Sequence, residues 1–338
     1  MIDLLVAGGG PAGLATALYG AKAGLDVAVV ERRHGVLDKA CGEGMMPHTL
    51  EHLDRLGVSA QGRPLRGITY VAGERRVDAA FRAGLGRGVR RTVLHAALWQ
   101  AAEAAGVKLV HSELSEVTQD AESVCAGGFR TSYLAAADGL HSPIRKSLGL
   151  SQPCPGPRRW GIRRHVQVAP WTDSVEVHWA PGAEAYVTPI ADDCVGIAIL
   201  SSERGGFDRH FEAFDELRDR VHGHPHGQDR AAGPLRQKAR SRAAGRVLLV
   251  GDAAGYIDAL TGEGMGLAFG AADLLVDCVI HDRPGEYDRR WRQMTRRYRA
   301  LTAALLHASA HAPLRAGIVP AAHTLPFLFN RLVNLLAR

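Results

Sequence analysis

Cysteine pairs are missing from this chain. Its five cysteines, Cys41, Cys125, Cys154, Cys194 and Cys278, are odd in number, far apart and free of any CxxC spacing. That excludes a disulfide framework and a cysteine-rich zinc site, and it fits a reducing, cytoplasmic setting. No uncharged apolar run approaches the roughly 18 residues of a membrane span, and no signal-peptide pattern opens the chain, because residues 2–7 already read as a strand. A strong charge of one sign is absent too. Lys and Arg number 41 against 35 Asp and Glu, a net +6, and most of the basic residues are dispersed arginines. Solvated surface and phosphate contacts account for that balance without a nucleic-acid partner. No repeat, low-complexity tract, Ser-His-Asp set or paired-carboxylate signature appears. The tract His222-Gly223-His224-Pro225-His226 reads as a flexible solvated loop, so no metal is expected.

What remains is the composition of an ordinary globular protein. The 338 residues are 46% hydrophobic and 22% charged, enough for two structural regions and a large core. Residues 2–7 form an apolar run of strand length, residues 11–23 an Ala- and Leu-rich helix ending at Gly24, and residues 26–30 a second strand. Such a β-α-β unit makes parallel strands. A helix over 92–105, a strand over 107–111, a hairpin turning at Gly127-Gly128 and a strand over 133–137 follow. After Leu150 the pattern changes. A proline-rich linker at 151–157 leads into strands at 161–168, 174–179, 185–189 and 194–200, which suggests an antiparallel sheet. His178 and Trp179 read as packing within it. Residues 207–221 read as one helix, 246–251 as a return to a buried strand, and the stripe Tyr287, Trp291, Met294, Tyr298, Leu301 and Leu305 as the buried face of another helix. The expected architecture is an α/β, Rossmann-type domain built from residues 1–65, 86–150 and 240–285. A substrate domain with an inserted antiparallel β-sheet covers 66–85 and 151–239, and a C-terminal helical segment covers 286–338.

Gly8-Gly9-Gly10-Pro11-Ala12-Gly13 is a GxGxxG turn in its proper place, between a strand and a helix. Gly8 permits the tight turn, Gly10 lets the backbone approach a pyrophosphate, and Gly13 lets helix and strand pack closely. The helix N-terminus then presents free N–H groups to the anion, and Pro11 is tolerated in the first helical turn. Glu31 and Arg32 end the second strand, about twenty residues on, where a carboxylate accepts bonds from an adenosine ribose. This motif indicates a dinucleotide without separating NAD from FAD.

Two further segments favour FAD. Ala137-Asp138-Gly139 through Ser142 and Arg145 resembles the Asp-Gly motif of the group A flavoprotein monooxygenase superfamily. Val250-Gly251-Asp252 resembles the Gly-Asp motif of the same superfamily. The resemblance implies that Asp252 binds the ribityl chain of FAD and that Asp138 belongs to a segment contacting FAD and NAD(P)H. It also implies an arginine near FAD at Arg91, or less directly Arg90, where the 92–105 helix opens beside Leu94, and an adenine contact through the Val117 backbone. In Thr261-Gly262-Glu263-Gly264-Met265-Gly266 the glycines let backbone N–H groups approach a ring, and a helix N-terminus there stabilises negative charge on it. Gly262, Gly264, Met265 and Gly266 are accordingly candidate cofactor contacts.

Lys39-Ala40-Cys41-Gly42-Glu43-Gly44 resembles the Cys-Gly loop of geranylgeranyl-reductase-like flavoproteins, which sits over the flavin. Cys41 is the one candidate catalytic side chain, read equally as a thiol near the flavin or as a small residue in a tight loop, and Gly42 is a further cofactor contact. Glu184-Ala185-Tyr186-Val187-Thr188-Pro189 is similar to the aromatic-to-proline strand lining the substrate face of such reductases, with its second aromatic missing. The superfamily resemblance implies a monooxygenase. NAD(P)H reduces FAD, and hydroxylation or epoxidation of a lipophilic terpenoid- or polyketide-like substrate proceeds with O2 through a C4a-hydroperoxyflavin. The alternatives are a reductase of isoprenoid double bonds, a flavin oxidase, and a non-catalytic flavin-binding or membrane-surface module. The apolar tail from Leu314 to Leu336, with Arg315, Arg331 and Arg338, can lie on a membrane or cover the substrate cavity.

Overall fold

The computed structural model describes residues 1–156 and 158–337. Five parallel strands lie in the spatial order Lys108–His111, Val27–Glu31, Ile2–Ala7, Phe129–Ala136 and Val247–Leu249. Leu4, Leu5 and Val6 at the centre are fully buried, as an all-apolar strand must be when helices cover both faces of its sheet. Helix α1 (Pro11–Lys22) makes the crossover from the first strand to the second. The candidate glycine turn, the Asp138 segment and the Asp252 segment all leave the carboxyl ends of adjacent strands, the edge at which open α/β sheets bind ligands. Gly127 and Gly128, at φ 55° and 84°, close the expected hairpin onto the Phe129–Ala136 strand. The α/β Rossmann-type architecture read from the sequence is the one observed.

A second sheet of seven strands runs in the order Arg230–Ala232, Trp160–Val166, Cys194–Ser201, Ala183–Ala191, Val175–Ala180, Gly67–Ala72 and Arg75–Ala80. All neighbours are antiparallel except Val175–Ala180 and Gly67–Ala72. Alternation along these strands sorts their side chains onto two faces. Val187, Val195, Ile197 and Ile199 pack under Phe207, Phe211, Phe214 and Leu217. Val177, Tyr186 and Leu200 form a separate cluster on the other face. His178 lies within the sheet, its Nε2 3.0 Å from Glu176, and Trp179 meets Tyr70 edge to face.

Two expectations need correction. The single helix over 207–221 is two, Phe207–Phe211 and Asp215–Val221. Phe214 leaves helical geometry (φ −126°, ψ 70°) and joins the aromatic cluster under the sheet. The long helix α5 (Pro284–Ala310) buries Tyr287, Trp291, Thr295 and Thr302, whereas Met294 is 37% exposed. The apolar pattern is read one residue out of phase there, because Thr295 turns inward and spends its hydroxyl on the Trp291 carbonyl at 2.9 Å. The other helices used below are α2 (Pro47–Leu56), α3 (Arg91–Ala104), α4 (Gly264–Ile280), α6 (Ala312–Thr324) and α7 (Pro326–Leu336). Helix α7 returns to the edge of the second sheet. Asn334 donates to the Ala80 carbonyl (2.8 Å) and accepts from the Arg82 amide (2.7 Å), which occupies backbone groups at the strand end.

Candidate active site

Each glycine of the turn has its own reason to be glycine. Gly8 sits at φ +109°, and a Cβ there would lie 2.5 Å from the Ala137 carbonyl oxygen. A Cβ on Gly13 would lie 1.9 Å from the oxygen of Gly8, so helix and turn touch backbone to backbone. Gly10 has only Arg91 Nη2 near its Cβ position, at 4.0 Å, and it lines an open cavity with Pro11 and Ala12. No side chain caps α1, so its first amides are free to meet an anion. Glu31 is buried and accepts from the Gly9 amide (2.9 Å) and from Arg33 Nε (3.0 Å). Burial raises its pKa, but the bonds from Arg33 and Gly9 outweigh that and hold the carboxyl below its ordinary range. Arg32 points outward, 3.6 Å from Glu113. Val117 is half-buried on the outer hairpin and away from the cavity wall.

Most of the remaining candidates converge on the same cavity. Lys39, Cys41, Gly42, Arg91, Asp252, Gly262, Gly264 and Met265 line it. Burial raises the pKa of Asp252, while Lys39, Arg91 and Arg145 pull it down. Asp138 accepts from the Ile144 amide through Oδ2 (3.0 Å), leaving Oδ1 buried and unpartnered, and Arg91 Nε is likewise buried without a partner. Arg145 is a staple rather than a free cation: it donates to the carbonyls of Leu140 (3.0 Å) and Ala253 (3.0 Å). Gly266 faces α2, where a Cβ would meet His48 Nε2 at 2.1 Å. It therefore permits helix packing and leaves approach to a ring to Gly262 and Gly264.

The loop carrying Cys41 is held by residues that no sequence motif marks out. Glu43 stands at φ +60°, strained for a residue with a side chain, and is 1% exposed. Its Oε1 accepts from the Arg91 amide (2.8 Å) and its Oε2 lies 2.7 Å from His165 Nε2. His165 Nδ1 lies 3.2 Å from both Arg90 Nη2 and Arg163 Nη1. Guanidinium groups only donate, so Nδ1 accepts and the ring proton sits on Nε2 toward Glu43. Arg163 also pairs with Asp38 and reaches the Lys39 carbonyl at 3.3 Å. Thr188 donates to the Gly42 carbonyl at 2.8 Å. The loop is thus bolted to the second sheet at both ends. The sequence signal is a lone carboxylate between Gly42 and Gly44, in a loop whose family resemblance rests on its cysteine. Burial raises the Cys41 pKa, so its thiol keeps its proton at neutral pH and is no thiolate nucleophile.

Beyond Cys41 the cavity, about 310 Å³, continues along the inner face of the second sheet. Ile68, Phe81, Val175, Val177, Ala198 and Leu200 wall it, and Val333 and Leu336 of α7 line it as well. Tyr186 lines it and donates to the Leu260 carbonyl at 2.8 Å. The aromatic absent from the Tyr186 strand is matched on the wall by Tyr70, from the neighbouring hairpin.

A family profile described as an FAD binding domain matches residues 1–281. The chain belongs to this family of FAD-dependent oxidoreductases. FAD is its cofactor. It is 29% identical over 320 residues to the menaquinone reductase of Mycobacterium tuberculosis, covering 81% of this chain and 76% of that one. It is 29% identical over 319 residues to the chloroplastic geranylgeranyl diphosphate reductase of Oryza sativa, covering 82% of this chain and 66% of that one. A flavoprotein/dehydrogenase of Cytophaga hutchinsonii shares the fold with a TM-score of 0.81 at 18% identity, over 99% of this chain and 97% of that one. The site fits FAD on its own chemistry. An uncapped helix N-terminus beside an open Gly10 suits a pyrophosphate. Arg91, on the cavity wall, has a buried and unpartnered Nε, a donor of the kind a polar cofactor satisfies.

Behind the Tyr186 wall Arg159 pairs with Glu184 and lies 3.3 Å from Asp258, both acids being buried. Burial raises the Asp258 carboxyl from 3.8 to about 6, with Arg159 opposing and Glu184 reinforcing the shift. A carboxyl whose pKa is higher folded than unfolded binds its proton more tightly in the fold. Its contribution is therefore full below about pH 4 and is lost as pH rises through about 6. Relative to wild type, Asp258→Asn is expected to be more stable at pH 8 than at pH 4.5, by on the order of 2–3 kcal/mol. Urea midpoints of both proteins across that range test this, and parallel pH profiles would refute it.

Proposed function

We propose that this chain is a reductase that saturates a carbon–carbon double bond in an isoprenoid or similarly long apolar chain. NAD(P)H would be the electron donor. The carrying observation is the cavity: it runs from Gly10, Arg91 and Asp252 past Cys41 to an apolar sheet face lined by α7. Likeness to a menaquinone reductase and a geranylgeranyl diphosphate reductase supports the same substrate class. Gly8, Gly10, Gly13 and the α1 amides would hold the pyrophosphate, Glu31 the adenosine ribose, Arg91 and Asp252 the polar chain between, and Gly262 and Gly264 the ring edge. FAD supplies the hydride chemistry. The chain's own part is to exclude water, lay the substrate along the wall from Ile68 to Leu200, and hold the Cys41 proton on Sγ at the cavity surface.

We place this reading ahead of the monooxygenase implied by the superfamily resemblance. The cavity wall offers a long apolar track, and the named relatives act as reductases. One experiment separates the two. The enzyme is reduced anaerobically and mixed with a prenylated quinone or a geranylgeranyl diphosphate, and flavin absorbance and product mass are followed. Substrate-dependent reoxidation without O2, with a product two hydrogens heavier, is expected. Turnover that needs O2 and leaves an isotopically labelled oxygen atom in the product would establish the monooxygenase instead.

A further inference from the structure

Helix α7 is apolar on two sides. Phe329 and Val333 are buried and Val333 and Leu336 line the cavity, so this face, spaced i, i+4 and i+7, is spent inside the molecule. The adjoining stripe, Leu328, Leu332 and Leu335 with Arg331 among them, is turned about 100° from it and faces outward, at 48%, 38% and 44% exposure for the three leucines. Leu314, Leu325 and Phe327 extend it, Phe327 at 70% exposure. These six are most of the large apolar side chains that the described residues expose. Exposed apolar residues clustered in this way mark a contact surface, whereas scattered ones need no explanation.

The charge pattern identifies the partner. Residues 312–337, which make up helices α6 and α7, carry Arg315 and Arg331 and no Asp, Glu or Lys. A surface for another protein is rimmed by polar residues. An apolar stripe on helices whose own charged residues are arginines matches an anionic lipid surface. No helix among the described residues is long and apolar enough to cross a membrane, so the contact lies in the interface plane. Asn334 ties the same helix to the sheet through Ala80 and Arg82, so one element spans from cavity wall to outer surface.

We infer that α6 and α7 form a membrane-docking surface that seats the protein on an anionic bilayer, with the cavity opening beside α7 toward the lipid. This goes beyond the proposed reaction and stands without it. A membrane-resident substrate would then enter the cavity without crossing water.

The test is flotation of the full FAD-loaded chain with vesicles of phosphatidylcholine, with and without phosphatidylglycerol. The chain is expected to float with the anionic vesicles and to sink with the neutral ones. Phe327→Glu combined with Leu332→Glu, both at exposed positions, is expected to cut flotation at least about tenfold while retaining bound flavin. Arg331→Ala is expected to lower the salt concentration at which binding is lost. Failure to float with anionic vesicles, or equal flotation of the double variant, overturns the inference. So does a dimer that the double variant converts to monomer without any flotation, which would assign the stripe to a second copy. None of these readouts depends on turnover, so failure of the reductase reading leaves them unchanged.

Discussion

Gly8→Ala is expected to release FAD and to lower stability by about 3 kcal/mol or more. Two separate costs add. At φ +109° an L side chain is strained whatever space surrounds it. The new Cβ would also lie 2.5 Å from the Ala137 oxygen and 2.9 Å from its carbon, and both are backbone atoms. Neither side can yield cheaply. The Gly8 amide is bonded to Val30 at 2.8 Å and the Ala137 amide to Ala7 at 2.8 Å, within the buried parallel sheet. Gly10→Ala is the matched control. Its Cβ meets no atom closer than Arg91 Nη2 at 4.0 Å, so stability should stay near wild type while FAD retention falls, because the methyl occupies the approach to the pyrophosphate. Flavin absorbance after gel filtration and urea titration of the apoprotein measure both quantities. Full flavin retention by Gly8→Ala would remove the turn from the cofactor site.

The turn was legible because its constraint is local. Three glycines at fixed spacing between a strand and a helix can be read without knowing what packs elsewhere. The same holds for Asp138 and Asp252, each at the carboxyl end of an apolar strand. Long-range partners were not legible. Glu43 finds His165 across 122 positions, and Arg163 reaches back to Asp38 across 125. Neither pairing has a periodicity to announce it, because each depends on how the second sheet sits against the first. The phase of α5 was misread at Met294 for a related reason. Methionine fits either face of a helix, and the buried position went to Thr295, whose hydroxyl is satisfied within its own helix. The position of α7 was legible only as alternatives. Its composition allowed a cover for the cavity or a surface contact, and the structure puts its two faces to different uses.

Glu43→Ala carries the second large effect, an expected loss of about 3–5 kcal/mol. Among the described residues the carboxylate is the only acceptor for two inward donors, the Arg91 amide and His165 Nε2–H. Removing it strands both and takes away the anion that His165 faces beside the Arg90 and Arg163 guanidiniums, of which Arg163 keeps Asp38. The conservative change fails as well. Glutamine offers one acceptor oxygen where two donors converge, so its NH2 must face either the amide or the imidazole N–H. Moving the His165 proton to Nδ1 would relieve that clash only by turning it on two arginines that can only donate. Glu43→Gln should therefore recover less than half of the loss, whereas a mutation that merely trims packing would be repaired by an isostere. The loop itself is the second readout. Glu43 holds a left-handed backbone two residues after Cys41, and releasing it frees the segment that lies over the cavity. Thiol labelling of Cys41 should then accelerate at least about tenfold, following the open fraction of the loop. Unchanged labelling with lost stability would make Glu43 a support of the sheet junction alone. Full rescue by glutamine would refute the donor–donor argument on which its role rests.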